Sequence, residues 1–358
     1  MKIGIDKYFK YALKFKKKFS NAAVSFNKKE FLIIKFNIDD RYYSFGEVCL
    51  SPDADPEDII KILNSILPNI PEQTHDAAEY LKKIEIDDSL RYGLEQPLLY
   101  YLLKERKDFF NIIPDPRNIN VNVIIDLEDI DEALKRIEKK VIEGYRVIKI
   151  KAGREDFDED LKLLKRVDSL YGDSIVLRLD VNGKWNYHTA VERLSLLKNF
   201  NIEYIEDPAD NLDDNLRLAK EQGLPVALDQ TLPGFNYALD ILENYDIKHI
   251  VVKPSIRFGI FNTIDLIDYA RGQNKQIVIS SAFETTIGKS VLTFISSFAP
   301  EYTAHGLDVY DMLEASFYDP LPPKNGKIKF DYSAFVKNFE KVFNSIETRK
   351  QDKIDRQR

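Results

Sequence analysis

The feature that most constrains this chain is an alternation that begins near Val121. Short runs rich in Val and Ile (NVNVIID, VIKIK, IVLRLD, IEYIED, PVALD, KHIVVK and QIVIS) are each followed by a longer stretch, such as EDLKLLKRVDSLYG or TAVERLSLLKNF, whose apolar residues recur every three or four positions. The short runs fit strands buried on both faces, and the longer spacing fits amphipathic helices packed over them. Repetition of that unit gives a parallel sheet. Seven strands are readable by Ser280, and an eighth is placed near Thr303–Gly306. Eight units in roughly 200 residues predict a closed TIM-type (β/α) barrel rather than an open sheet, because no glycine-rich dinucleotide loop follows the first strand.

The chain has 358 residues, which leaves room for a second, smaller unit. Residues 1–113 read as α+β: FLIIKF and YYSFGEVCL resemble antiparallel strands, while PEDIIKILNSIL and SLRYGLEQPLLYYLL have helical spacing. NIIPDPRNIN reads as a linker, residues 114–313 as the barrel, and FDYSAFVKNFEKVFNSI, within 314–358, as a helix that packs back on the first unit.

Composition removes several function classes. No apolar run approaches the roughly 20 residues of a membrane span, and MKIGIDKYFKYALKFKKKF lacks the uninterrupted apolar core of a signal peptide. Cys49 is the only cysteine, so no intrachain disulfide forms and the cytoplasm is the expected compartment. Net charge is -7, and the basic clusters Lys16–Lys18 and KQDKIDRQR sit at the two ends of the chain, so no nucleic-acid-binding face is expected. The sequence leaves the oligomeric state open.

Barrels place their chemistry at the C-terminal ends of the strands. Read in order, those ends are Lys149 and Lys151, Asp180, Glu206, Asp229 and Lys253. Asp180, Glu206 and Asp229 are 26 and 23 positions apart, about one strand-helix unit each, which predicts one level on three adjacent strands. Any one of them taken alone reads more often as a helix N-cap or a surface charge, and three at a matched level reverse that reading. Three carboxylates converging on a small volume repel one another and call for a hard dication such as Mg2+, which takes oxygen ligands and keeps positions for water or substrate. Lys149 and Lys151 share one face of their strand, so like-charge repulsion and burial are expected to lower the pKa of one of them toward that of a general base. Lys253 is expected across the mouth from Lys151, with a small carboxylate substrate between the two amines.

Together with these residues, the ordered set Lys149-Ile-Lys151, LRLDVNGKW, IEYIEDP, PVALDQTL, IVVKPS, SSAFETTIG and GLDVYD resembles the muconate-lactonizing branch of the enolase superfamily, and within it the o-succinylbenzoate synthases. GEV at Glu47 and LEQPLLYYL at Glu95 resemble that family's capping domain. The resemblance implies that Lys151 removes a proton beside a carboxylate and then protonates a departing hydroxyl, that Lys253 stabilises the enediolate, and that Asp180, Glu206 and Asp229 hold Mg2+. It places Lys149, Arg178, Asn182, Ser280 and Ser281 near the substrate. A Lys or His base acting beside magnesium is the usual pattern of enolase-superfamily sites. Gln230, where the family commonly has glutamate, and Val181, where alanine is usual, are departures. Glu284 reads either as a residue supporting the site or as a helix cap.

Two other readings use the same residues. Lys151 and Lys253 could exchange a proton from opposite faces, as in dipeptide epimerases and N-acylamino acid racemases, with Asp308 or Asp311 meeting the substrate's ammonium. A barrel that binds an acidic ligand without turnover is the third. The four histidines and Trp185 are given no role.

Overall fold

The computed structural model describes residues 1–20, 25–106, 109–110, 116–126, 129–223 and 225–355. The chain begins with an antiparallel sheet of β1 (Ile3–Ser20), β2 (Ser25–Ile38) and β3 (Tyr42–Cys49). The lysine-rich start is therefore a strand. Its lysines alternate with residues that face inward, and Leu13 and Phe15 are buried while Lys14 and Lys16 are exposed, the period-two pattern of a half-covered strand.

Three helices follow: α1 (Pro56–Ile66), α2 (Thr74–Lys83) and α3 (Asp88–Glu105). The Asp55 carboxylate accepts the Glu57 N–H and Pro56 occupies the first turn, so the start of α1 is written locally. Nearly every residue of α3 is buried, because it lies between the sheet and the rest of the molecule. It approaches β3 through glycines: a Cβ on Gly46 would stand 2.6 Å from the Gly93 carbonyl oxygen.

The seven runs found in the sequence form the parallel sheet β5 (Val123–Ile125), β6 (Val147–Lys151), β7 (Val176–Asp180), β8 (Ile202–Glu206), β9 (Val226–Leu228), β10 (His249–Val252) and β11 (Gln276–Ile279), hydrogen-bonded in that order. The eighth strand, β12 (Ala304–His305), is short, as the sequence suggested. Gly306 bridges to Ser280 on one side, and the His305 carbonyl accepts the Asn122 N–H at 2.9 Å on the other, which curls the sheet toward closure. Between the strands lie α4 (Ile130–Ile142), α5 (Phe157–Tyr171), α6 (Tyr187–Leu197), α7 (Leu212–Gln222), α8 (Phe235–Asn244), α9 (Phe261–Gly272) and α10 (Thr286–Ser296). Tyr204, Ala227, Val251 and Val278 make a small apolar cluster separate from the main core, built from inward positions of four successive strands.

The segment expected to be a linker is partly strand. Residues 111–115 lie outside the described residues, but β4 (Arg117–Val121) pairs in parallel with β12 and antiparallel with β13 (Lys327–Phe330). The last helix, α11 (Tyr332–Asp355), carries Phe335, Phe339 and Phe343 at four-residue spacing. Phe343 packs on Phe45 and Tyr100, and the Tyr100 hydroxyl donates to Glu340 at 3.1 Å. No helix among the described residues is long and apolar enough to cross a membrane.

Candidate active site

Strand register brings the lysine pair and two carboxylates together directly. Lys149 pairs with Arg178, Lys151 with Asp180, and Asp180 with Glu206, so alternate residues of β6, β7 and β8 point into the barrel at stepped levels. Asp229 is not at the same level. Glu206 pairs with Ala227, and Asp229 stands two residues further along, because strands of a barrel are staggered by its shear.

The cluster is buried and paired. Lys149 Nζ lies 2.7 Å from Glu206 Oε2 and 2.9 Å from Asp180 Oδ2. Lys151 Nζ donates to Asp180 Oδ2 and to Asn182 Oδ1, each at 2.7 Å, and Lys253 donates to Asp229. Burial opposes the charge on Lys149, but Asp180 and Glu206 outweigh it and hold its pKa well above the usual lysine value. The lowering expected from two neighbouring lysines is thus reversed at Lys149, because the attraction of Asp180 and Glu206 exceeds the effect of burial. Burial pushes Lys253 down as well, and Asp229 and Glu206 raise it past its ordinary value.

The carboxylates divide unequally. Burial raises Asp180, but Lys149 and Lys151 together hold it well below the carboxylate range. Glu206 shares only Lys149, and burial with the neighbouring Asp180 pushes it up to about 8. Asp180 has two ammoniums in contact and Glu206 one, so burial is offset less fully at Glu206.

Among the described residues, no three Asp, Glu, His or Cys side chains form a ready-made metal cage. The carboxylates face ammoniums instead. The donor set still fits a hard cation, because Asp180 Oδ1 and Glu206 Oε1, on paired residues of adjacent strands, are buried and have no hydrogen-bond partner. Unpartnered anionic oxygens in an interior are costly, and a dication satisfies both.

Asn182, at φ 54° just beyond β7, joins Lys151. Ser280 follows β11 at the level of Lys253, since Val252 pairs with Ile279. Ser281 donates to Glu284, which also accepts from the Ser255 hydroxyl and from the Ala282 N–H at 2.9 Å. Glu284 thereby ties the ends of β10 and β11. Arg178 is not brought to the rim: its guanidinium is fully buried and donates to Glu203 (2.7 Å), to Asn122 (3.0 Å) and to the Ala304 carbonyl (2.7 Å). Gln230 is exposed, and its backbone N–H donates to Asp207 Oδ2 at 2.7 Å.

Asp207, not singled out in the sequence although it stands in IEYIEDP, also accepts the Thr231 hydroxyl at 2.6 Å, so it fixes the turn that carries Asp229. Two glutamates of the first unit also matter. Glu47 accepts the Thr285 hydroxyl at the start of α10, and Glu95 accepts the Ile260 N–H at the start of α9. Asp308 accepts from Tyr145, and Asp311 pairs with Lys140 at 2.8 Å, so both carboxylates of GLDVYD are engaged by α4 and the loop after it.

A barrel with acid and lysine side chains on successive strand ends, beneath an α+β unit, is the enolase-like architecture, and the chain belongs to the enolase superfamily: the Enolase C-terminal domain-like family matches residues 132–332. Its relatives there include several o-succinylbenzoate synthases. The synthase of Bacillus subtilis is 26% identical over 325 residues, 85% of each chain, and that of Desulfotalea psychrophila is 29% identical over 211 residues, 57% of each. Protein PHYLLO, chloroplastic, of Arabidopsis thaliana is 30% identical over 282 residues, 70% of this chain. That match spans 16% of PHYLLO, and the Desulfotalea match little more than half of its enzyme. Among solved structures, muconate lactonizing enzyme of Pseudomonas fluorescens superposes with TM-score 0.77 at 17% identity, over 91% of this chain and 93% of that one. The dipeptide epimerase of Enterococcus faecalis V583, complexed with Mg and L-Leu-L-Tyr, gives 0.78 at 17% identity, over 92% and 97%. At such identities the structures establish the fold.

Proposed function

We propose that this chain is an o-succinylbenzoate synthase, a hydro-lyase of menaquinone synthesis that converts 2-succinyl-6-hydroxy-2,4-cyclohexadiene-1-carboxylate to o-succinylbenzoate. Residues 1–113 would cap the barrel of 114–313. Asp180, Glu206 and Asp229 would hold Mg2+, which when bound stabilises a carboxylate that gains a second negative charge. The observation that carries the reading is the charge balance of the cluster. Three ammoniums offset three carboxylates, so a dication adds two positive charges, matching the dianionic enediolate left by proton removal beside a carboxylate.

Lys151, as the free amine, takes the proton from the ring carbon that bears the carboxylate. The electron pair forms the enediolate, then returns to expel the hydroxyl on the adjacent carbon, and the same Lys151 ammonium gives its proton to that leaving group as water. Asn182 holds the amine in place through both steps. Lys253 faces the site from β10, and its raised pKa keeps it cationic toward the enediolate. Lys149 holds Asp180 and Glu206, while Ser280 and Ser281 lie beside the mouth. The synthase reading is favoured over epimerisation because Asp308 and Asp311, the acids available for a substrate ammonium, are engaged by Tyr145 and Lys140.

The test is incubation with magnesium and the cyclohexadiene, following o-succinylbenzoate by ultraviolet absorbance. Turnover is expected to fall at least about a hundredfold in Lys151→Ala, the scale of general acid-base catalysis, and to stop when magnesium is chelated. Absence of turnover, with α-deuterium exchange into dipeptides or N-acylamino acids instead, would replace this reading with the racemase.

A further inference from the structure

The β1–β2 hairpin is seated on the barrel rim. Lys16 N–H donates to the Met312 carbonyl and Glu314 N–H to the Lys14 carbonyl, each at 2.9 Å, and the Phe15 ring meets Phe283 edge-on at 4.9 Å. This seam fixes β2 beside the segment that follows β11, and there Lys29 reaches across from the first unit to donate to the Ala282 carbonyl. Its neighbours on β2 and β3 are the Phe31 ring, 5.6 Å from Nζ, and the side chains of Cys49 and Glu47.

Lys29 differs from the other lysines of the site. Lys149, Lys151 and Lys253 each touch a carboxylate, whereas Lys29, half-buried, forms no ion pair within 4.0 Å among the described residues. Glu47, on which Lys29 acts electrostatically, is buried and accepts the Thr285 hydroxyl through one oxygen, and Glu284 accepts three hydrogen bonds from Ser255, Ser281 and Ala282. An ammonium has three N–H donors; the Ala282 carbonyl takes one and the Cys49 sulfur a second, which leaves one. A partly desolvated cation with a donor to spare is a ready receptor for an anion.

Its position suits the distal end of a substrate. Ser280 is level with Lys253, and Ala282 lies two residues further on, in the bend that follows β11. We propose that Lys29 is the cap's receptor for the second carboxylate of a dicarboxylate substrate, the one at the end of a flexible arm whose reacting end lies between Lys151 and Lys253. The assignment rests on the synthase reading, whose substrate carries a ring carboxylate and a succinyl carboxylate, and it makes Lys29 a specificity residue with no part in bond breaking.

The test pairs a ligand change with a residue change. Wild type, Lys29→Met and Lys29→Arg, each checked for native circular dichroism, are titrated calorimetrically in magnesium with o-succinylbenzoate and with its side-arm methyl ester. Loss of one charge-assisted contact is expected to weaken the diacid at least about tenfold in Lys29→Met. Ester affinity should be unchanged, and Lys29→Arg should restore most of the diacid binding. KM for the cyclohexadiene should rise in parallel while kcat stays within about threefold. Equal weakening of both ligands, or of neither, overturns the role of Lys29 while leaving wild-type turnover, and the synthase reading, intact. A wild type that binds neither ligand and turns over nothing overturns the synthase reading and the receptor with it.

Discussion

At the level of single residues, Lys149 is the side chain on which the buried charges most depend. It is the one ammonium shared by Asp180 and Glu206, and all three are buried. Replacing it with methionine keeps most of the volume and removes the charge, which leaves Glu206 with no cation of its own. Breaking a buried pair in this way typically costs about 3–5 kcal/mol. Lys149→Met is therefore expected to lower the urea midpoint with an unchanged m-value, and added magnesium should recover part of the loss by occupying the oxygens that Lys149 releases. An unchanged midpoint would mean that the pair is not formed. The identities at this site were legible in the sequence because strand ends can be read off the alternation. Their relative heights were not. Sequence spacing counts residues through the intervening helices, whereas the offset of Asp229 from Glu206 is set by the barrel's shear. The direction of Arg178 was hidden for a similar reason, since period two says which face a side chain leaves from and not whether a long guanidinium turns to the rim or the floor.

Among elements, the junction between the two units is made by carboxylates entering helix starts. Glu95 on α3 accepts the first N–H groups of α9, and Gly259 is where it enters, since a Cβ there would overlap the carboxylate. Burial pushes the Glu95 carboxyl up to about 8 from 4.5. The folded state therefore holds its proton more tightly than the unfolded chain. This contribution to stability is complete below about pH 4.5 and is lost as pH rises through about 8. Glu95→Gln stays neutral throughout, so its unfolding free energy should fall less than the wild type's between pH 5 and 9, by a few kcal/mol. Parallel pH profiles would show that the carboxyl ionises freely in the fold. The contact of β3 with α3 yields less readily, because the obstacle at Gly46 is backbone. Gly46→Ala should cost about 1–3 kcal/mol by overpacking, read as a lower Tm. These junctions escape a sequence reading: GEV and LEQPLLYYL can be recognised as units, but only the folded chain shows which helix start each glutamate enters. β1 was missed for a different reason, its inward Leu13 and Phe15 being outnumbered by lysines on the solvent face.

For the whole molecule, the candidate metal ligands come from three strands separated by full helices, so the unfolded chain has no comparable site. A cation that binds there stabilises the entire fold by mass action. At a magnesium concentration a hundredfold above its Kd the gain is about 2.7 kcal/mol. For 358 residues unfolding together, that raises Tm by about 3–4 °C. Scanning calorimetry with magnesium against chelator should show this rise, and an Asp180→Asn, Glu206→Gln double variant should abolish it while leaving the fold intact by circular dichroism. The size of the shift also tests the ion pairs. Lys149 and Lys151 already hold Asp180 Oδ2 and Glu206 Oε2, so the gain is what the ion adds at the oxygens they leave unpartnered, less any weakening of those ion pairs. If Lys149→Met binds magnesium more tightly than wild type, the ammoniums compete with the metal. If its affinity falls, Lys149 instead orients Asp180 and Glu206 for the ion, and the apo pairing is the arrangement that keeps three buried acids together until the metal arrives.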